Sequence, residues 1–256
     1  MARSLKARLF AWHKGTPFNP WWMELRRLRT AVEDLAPSAH GLLLDVGVGD
    51  RPYAALFAPH VRRYVGIEYP PSCDNLNPGI SARLQRAVGL VDVWGDGHAL
   101  PFAAGCFDTV MALEVLEHLP DPDRCVSELV RVLAPGGTLL VTVPFCTPLH
   151  ALPFDFYRFT EAGLVALLER HGLVVERTAT RGNAADATGA ALAQWLLRAF
   201  AARAVHRDGA VSLSRWRAPL VLPVVALVQS FFALASRWTS DSSSSLGYSA
   251  VARKPR

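Results

Sequence analysis

The chain has 256 residues, 51% hydrophobic and 19% charged, which is enough apolar material for one large core or a core with a cap and excludes a disordered polyelectrolyte. Its net charge of +5 rests on basic residues that are mostly arginine and scattered, with small clusters at Arg26-Arg27-Arg29 and Arg215-Arg217. No long basic run points to nucleic acid, so no nucleic-acid partner is expected; the balance suits an acidic membrane surface better.

Residues 3–14 interleave Arg3, Lys6, Arg8 and Lys14 with Leu5, Leu9, Phe10 and Trp12. The charges interrupt any signal-like apolar core. This stretch is expected to be a short amphipathic helix, either on a membrane surface or packed on the domain. Apolar residues at helical spacing over 17–36 predict a leading helix that ends near Pro37. Leu42-Leu43-Leu44-Asp45-Val46 then reads as a buried strand, followed by the glycine turn Gly47-Val48-Gly49. Further strands are expected at 64–68, 91–96, 107–113, 138–143 and 173–178. Helices are expected at 125–133, closed by Pro135-Gly136-Gly137, and at 160–171, closed by Gly172. Strands separated by helices mean βαβ units and a parallel sheet. Cys73, Cys106, Cys125 and Cys146 lack zinc-like spacing and are expected to be reduced core thiols of a cytosolic protein.

After residue 182 the character changes. A helix is expected over 190–205. Residues 218–236 carry no charge between Arg217 and Arg237, and their length is within the roughly 17–25 residues of a membrane span. A serine-rich linker at 239–245 leads to a last strand at 247–253. A single span would put that strand across the membrane from the sheet it should join. The stretch is therefore expected to be an apolar helical insert, bent or broken at Pro219 and Pro223, that dips into the bilayer surface, returns as a hairpin, or packs as a cap or homodimer interface.

Three acids, Asp45, Glu68 and Asp96, close three successive strands. In an open parallel sheet, ligands bind at the carboxyl ends of the strands. Glu68 stands 19 residues after Gly49, as an acid that holds ribose hydroxyls would. A dinucleotide oxidoreductase is the rival reading, but its third glycine is replaced by Pro52, and a cationic ligand explains the acids better than a pyrophosphate does.

Four blocks, LLLDVGVGD (42–50), YVGIE (64–68), GDGHALPF (95–102) and FDTVMALEVLEHLPDP (107–122) with ELVRVLAPGGTLLVTVP (128–144), resemble the class I S-adenosylmethionine-dependent methyltransferases. The resemblance covers about 38–180 and the last strand. It implies a Rossmann-like, mostly parallel seven-stranded sheet with an antiparallel last strand. It implies S-adenosylmethionine as cofactor, with Asp45, Gly47 and Gly49 at its methionine end and Glu68 on the ribose. Asp96 and the Gly97 and His98 backbone would meet the adenine, and Leu113 and Glu114 would flank the other side. Val48 stands where the family often has Cys. Arg51-Pro52-Tyr53 is similar to a subgroup found among polysaccharide and lipid biosynthesis proteins.

Glu114, Glu117 and His118 would share one face of a helical turn. Two readings follow: His118 as general base oriented by Glu117, or the three residues as ligands of a magnesium ion, similar to a Glu-x-x-Glu-His site in quinone-biosynthesis O-methyltransferases. The plain alternative is that Glu117 and His118 only order the loop. His150, Asp155, Tyr157 and Arg158, in the loop 144–160, are the expected substrate-loop residues; alternatively Arg158 ties Asp155 and Thr160 caps the next helix. The expected organisation is an N-terminal helical segment (1–37), the cofactor-binding core (38–182), the apolar insert with its linker (183–246), and the final strand and tail (247–256). The expected function is O-methylation of a lipid-linked, quinone-like or glycan-type substrate by a cytoplasmic enzyme peripheral on the inner membrane face. The alternative class is a non-catalytic module that binds the cofactor and docks on membranes.

Overall fold

The computed structural model describes residues 15–70, 85, 88–205 and 211–256. The stretch 3–14 and Cys73 lie outside the described residues. The chain forms two compact units. One holds Ala31–Phe145, Ala151–Ala179 and Gly247–Arg256; the other holds the described part of Met1–Thr30, Cys146–His150 and Thr180–Leu246. The chain enters on helix α1 (Trp22–Leu35), which a 3-10 turn with Pro37 ends at Ala36–Ser38.

The first unit is built on a sheet. Strand β1 (Leu42–Val46) is buried from Leu43 onward, as its apolar run requires. It lies between the parallel strands β2 (Arg63–Glu68) and β4 (Phe107–Leu113). A four-residue helix, α2 (Ala54–Phe57), follows the glycine turn. Strand β3 (Val93–Trp94) extends the β2 edge and β5 (Leu133–Pro144) the β4 edge. Strand β7 (Gly247–Arg253) runs antiparallel beside β5, and β6 (Val174–Thr180) closes that edge. The order is β3-β2-β1-β4-β5-β7-β6, seven strands with the antiparallel one inserted next to last. β1, β2 and β4 are parallel, so their carboxyl ends share one edge.

Helix α3 (Pro122–Val132) starts where Asp121 accepts from the Arg124 N–H (3.0 Å) and Pro122 presets the first turn. It buries Cys125, Val126, Leu129 and Val132, one face at helical spacing. The expected Pro135-Gly136-Gly137 helix stop is corrected: Leu133 is already extended, and the Pro-Gly-Gly segment sits in β5, where the register with β4 shifts between Phe107 and Thr109. The end carbonyls of α3 are met instead by Lys254 Nζ, which donates to Val130 and Leu133 (both 2.7 Å). Helix α4 (Glu161–Arg170) begins with Thr160, whose hydroxyl accepts from the Gly163 N–H (3.1 Å). The third strand is shorter than expected, two residues instead of six, because the chain turns at Gly95 to form the bridge of Asp96 with Ala99.

The second unit is helical. Helix α5 (Ala184–Leu196) starts at a capping box of Asn183 and Asp186. It ends in a π turn, Leu197–Ala201, after which Ala202–Val205 pairs with Val211–Leu213 as an antiparallel hairpin. The expected helix over 190–205 is thus corrected at its C-terminal end. Helix α6 (Ala218–Ala235) is continuous, not bent into a hairpin: Pro219 lies in its first turn and Pro223 is accommodated within it. The two helices approach closely at Gly189, where a Cβ would stand 2.4 Å from Cβ of Phe232. Met23, Ala187, Ala190, Ala233 and Leu246 form this unit's core.

The cysteines divide. Cys125 is a core thiol, pushed up to about 12 chiefly by burial. Cys106 is exposed and Cys146 half-buried, because Cys106 precedes β4 in a turn and Cys146 follows β5 in a loop.

Candidate functional site

The acids converge as their positions at strand ends dictate. Asp45 lies near the end of β1, Glu68 ends β2, and Asp96 follows β3 by two residues. Between Asp45 and Glu68 runs the glycine turn. Gly47 has φ +76° and donates, with Val48, to the Ile67 carbonyl (2.9 and 3.1 Å). Gly49 has φ +53° and its N–H donates to Glu68 Oε2 (2.8 Å). The Tyr69 N–H donates to the other carboxylate oxygen (2.8 Å). Two backbone donors thus fix the Glu68 carboxylate at the sheet edge, and each oxygen retains acceptor capacity.

Asp45 is buried and accepts a hydrogen bond from the Tyr64 hydroxyl. Burial pushes its carboxyl up to about 7; the Tyr64 hydrogen bond opposes this, the Glu68 charge adds to it, and Arg51 opposes it. Burial and the Asp45 charge push the Tyr64 hydroxyl well above the usual phenol range. Arg51, at φ +55°, lies 5.4 Å over the Tyr64 ring and pairs with Asp92, whose carboxylate also accepts from the Gly66 N–H (2.7 Å). Reading the chain alone missed Tyr64, Arg51 and Asp92. The available signal was the side-chain period of two, which puts Tyr64, Gly66 and Glu68 on one face, with Gly66 opposite Asp45.

Asp96 Oδ1 accepts from the His98 N–H (2.9 Å) and from ring Nδ1 (2.8 Å). With Nδ1 as donor, Nε2 is the acceptor nitrogen, and it is buried without a hydrogen-bond partner among the described residues. Glu128 and Arg131 brace the segment behind it. Glu128 accepts from the Leu100 N–H (2.7 Å), and Arg131 donates to Glu128 and to the Leu100 and Phe102 carbonyls. The Arg131 hydrogen bond holds the Glu128 carboxyl below its usual range. A Cβ on Gly97 would have Cys125 Sγ at 3.5 Å.

On the other side, β4 ends at Leu113, and Glu114 adopts φ +56°, an uncommon conformation for a residue with a side chain. Its N–H donates to Thr142, both carbonyl and hydroxyl (3.1 Å each). Leu116–His118 is a 3-10 turn, so the expected helical face shared by Glu114, Glu117 and His118 is corrected: Glu114 precedes the turn with left-handed backbone. His118 Nδ1–H donates to the Phe154 carbonyl (2.6 Å), which leaves Nε2 3.6 Å from the buried carboxylate of Glu117.

The loop after β5 is stitched to this turn. The Phe156 and Tyr157 N–H groups donate to the Glu117 carbonyl (2.8 and 3.4 Å), and the Tyr157 hydroxyl to the Pro120 carbonyl (3.1 Å). Arg158 grips Asp155 through two bonds (2.6 and 2.7 Å). The Asp155 hydrogen bond raises the Arg158 pKa, and the charges of Glu117 and Glu114 add to it. Both Asp155–Arg158 pairing and Thr160 capping are therefore present. His150 is assigned to the helical unit.

The open, mostly parallel sheet with the inserted antiparallel strand is the Rossmann-like methyltransferase fold, and its acids and glycine turn lie at the carboxyl ends of the strands, where such sheets bind ligands. The family model described as "Methyltransferase domain" matches residues 44–141. A probable S-adenosylmethionine-dependent methyltransferase of Mycolicibacterium smegmatis is 34% identical over 170 residues, 62% of each chain. An uncharacterized methyltransferase of a Mycobacterium species is 39% identical over 102 residues, 39% of this chain and 37% of that one. The chain thus spans well under half the length of that relative. Among solved structures, phosphoethanolamine N-methyltransferase 2 of Haemonchus contortus, in complex with S-adenosyl-L-methionine, superposes with a TM-score of 0.52 at 15% identity, covering 95% of this chain and 58% of that one. This last likeness is one of fold.

The residues fit S-adenosylmethionine as cofactor. Glu68 is held in place with acceptor capacity for hydroxyls, His98 offers a buried unpartnered nitrogen, and a Cβ at Gly47 would stand 2.6 Å from Val115.

Proposed function

We propose that this protein transfers a methyl group from S-adenosylmethionine to a hydroxyl of an apolar, quinone-like or lipid-linked acceptor. The observation that carries the reading is the Glu68 carboxylate, fixed by the Gly49 and Tyr69 N–H groups beside the glycine turn. When bound, the cofactor supplies a methyl group on a sulfonium already activated for displacement. Glu68 binds the ribose hydroxyls. Asp45, Gly47 and Gly49 line the methionine end, and Asp96, Gly97 and His98 the adenine; Leu113 and Glu114 close the opposite side.

His118 takes the acceptor's proton. Its Nδ1–H is committed to Phe154, so Nε2 is the basic nitrogen, and the buried Glu117 carboxylate stabilises the imidazolium that forms. The Arg158 charge interacts favourably with those of Glu117 and Glu114, which supports this reading over a magnesium site: a divalent cation there would be opposed by a fixed positive charge. Because Arg158 and Asp155 neutralise each other, the loop offers exposed Phe156 and Tyr157 rather than net charge. That surface suits an aromatic or apolar acceptor better than a glycan. The sheet order, with its antiparallel insertion, weighs against a dinucleotide oxidoreductase. A cytoplasmic setting with access to a membrane face agrees with such an acceptor.

The test is turnover of methyl-labelled S-adenosylmethionine with a quinone- and lipid-containing extract. Labelled product is expected, and His118→Ala should lower kcat by roughly 10²–10⁴-fold while cofactor affinity stays within about twofold. Cofactor binding with no labelled product from any fraction would favour a non-catalytic module. Turnover unchanged in His118→Ala would remove the base.

A further inference from the structure

We infer that helix α6 docks flat on an anionic lipid surface through one exposed stripe. The inference goes beyond the catalytic reading and uses residues of the helical unit alone.

Leu220, Val224, Leu227, Phe231 and Leu234 are all exposed, and they recur every three or four residues, which puts them in one line along the helix. Trp216 before the helix and Trp238 after it are 74% and 76% exposed, so an exposed indole brackets the line at each end. Monomeric soluble surfaces rarely leave such a contiguous apolar strip uncovered. Beside it lies an apolar hollow of about 400 Å³ lined by Pro17, Phe18, Pro223, Ala226, Leu227 and Ser230.

The opposite face of α6 decides between lying on a membrane and crossing it. By length and composition the helix could span a bilayer. However, Ala218, Val225, Ala226, Gln229 and Ala233 are buried against protein. The buried Gln229 side chain donates to the Pro17 and Asn19 carbonyls (2.7 and 2.9 Å) and accepts from the Met23 N–H (3.3 Å). Ser236 accepts from Arg27, which also pairs with Asp186 (2.8 and 2.7 Å). A lipid-surrounded span would break all of these contacts, whereas an in-plane helix keeps them and immerses only the stripe.

The charge pattern selects lipid over a second protein copy. From Val211 to Trp238 the sequence holds Arg215, Arg217 and Arg237 and no acidic residue. Arg215 lies 4.7 Å over the Trp216 ring, so cation and indole sit together at one end, and Arg237 stands beside Trp238 in sequence at the other. Paired copies of this face would bring like charges together, while an anionic headgroup layer meets arginines at both ends and places the tryptophans at the interface.

The test is co-sedimentation of the full chain with two kinds of vesicle, neutral phosphatidylcholine and phosphatidylcholine with about one-third phosphatidylglycerol. Binding to the anionic vesicles is expected, weakened by added salt and lost at least tenfold in Leu227→Glu/Phe231→Glu. Arg215→Gln/Arg217→Gln should lower binding to anionic vesicles and leave binding to neutral ones unchanged. Circular dichroism and cofactor titration confirm that the variants are folded. No wild-type binding to either vesicle would overturn the proposal. So would binding that survives Leu227→Glu/Phe231→Glu, or a dimer in solution that this substitution dissolves. The readout is vesicle binding without turnover, so its failure leaves the catalytic reading standing, and the reverse holds.

Discussion

The Tyr64 hydroxyl donates to the Asp45 carboxylate, tying two neighbouring strands together beneath the glycine turn. Burial nevertheless holds the Asp45 carboxyl at about 7, against roughly 3.9 in an unfolded chain. The folded state therefore binds this proton more tightly than the unfolded state does. The contribution to stability is full below about pH 4, falls as pH rises toward 7, and is level above. Glu24, also pushed up to about 7 by burial, acts in the same direction. Urea unfolding between pH 4 and 7 should show stability falling with pH, and Asp45→Asn should make the fall shallower without abolishing it. An unchanged slope in the variant would mean that Asp45 titrates normally.

Gly47 is constrained twice, by φ +76° and by Val115 Cγ2 at 2.6 Å from where a Cβ would stand. Gly47→Ala should destabilise the protein by about 1–3 kcal/mol. Adding Val115→Ala should relieve the overlap and leave the backbone cost, so the double variant loses less from the glycine substitution than the single one does. Chemical denaturation of the four proteins of this cycle measures both parts.

Asp155 is wholly buried and Arg158 about one-fifth exposed, and the pair is held by two short bonds. Removing Arg158 alone strands a buried carboxylate and should cost about 3–5 kcal/mol. Asp155→Asn with Arg158→Ala should cost clearly less than the sum of the single changes. Additive costs in a denaturation double-mutant cycle would show that the pair is not coupled.

Much of the sheet was legible because its signals are local. The apolar runs at 42–46 and 107–113 are strands over those residues, and 247–253 pairs antiparallel as expected. What was not legible depends on partners distant in sequence. The Pro135-Gly136-Gly137 segment reads locally as a helix stop, yet β4 recruits it into β5. Ala202–Val205 reads as helix by its alanines, yet Val211–Leu213 pairs with it as a strand. Asp45, Glu68 and Asp96 could be found as acids at strand ends. The Asp45–Tyr64 bond needed the register of β1 against β2, and the 3-10 geometry at Leu116–His118 needed the left-handed Glu114 before it. The exposed stripe on α6 needed the buried Gln229 to say which face was free, since an uncharged helix carries little periodic pattern of its own.

The central claim is that Glu68, set by Gly49, holds the cofactor at the sheet edge. Isothermal titration of S-adenosylmethionine into the wild-type chain and Glu68→Gln tests it most directly. Glutamine keeps the shape and removes the charge that makes hydrogen bonds to hydroxyls strong, a loss of about 1.5–3 kcal/mol, or roughly 10–100-fold in affinity. The account predicts one binding site in the wild type, weakened by that factor in the variant, with NAD giving no heat in either. Equal affinity in the two proteins, or no binding of S-adenosylmethionine to the wild type, would contradict it.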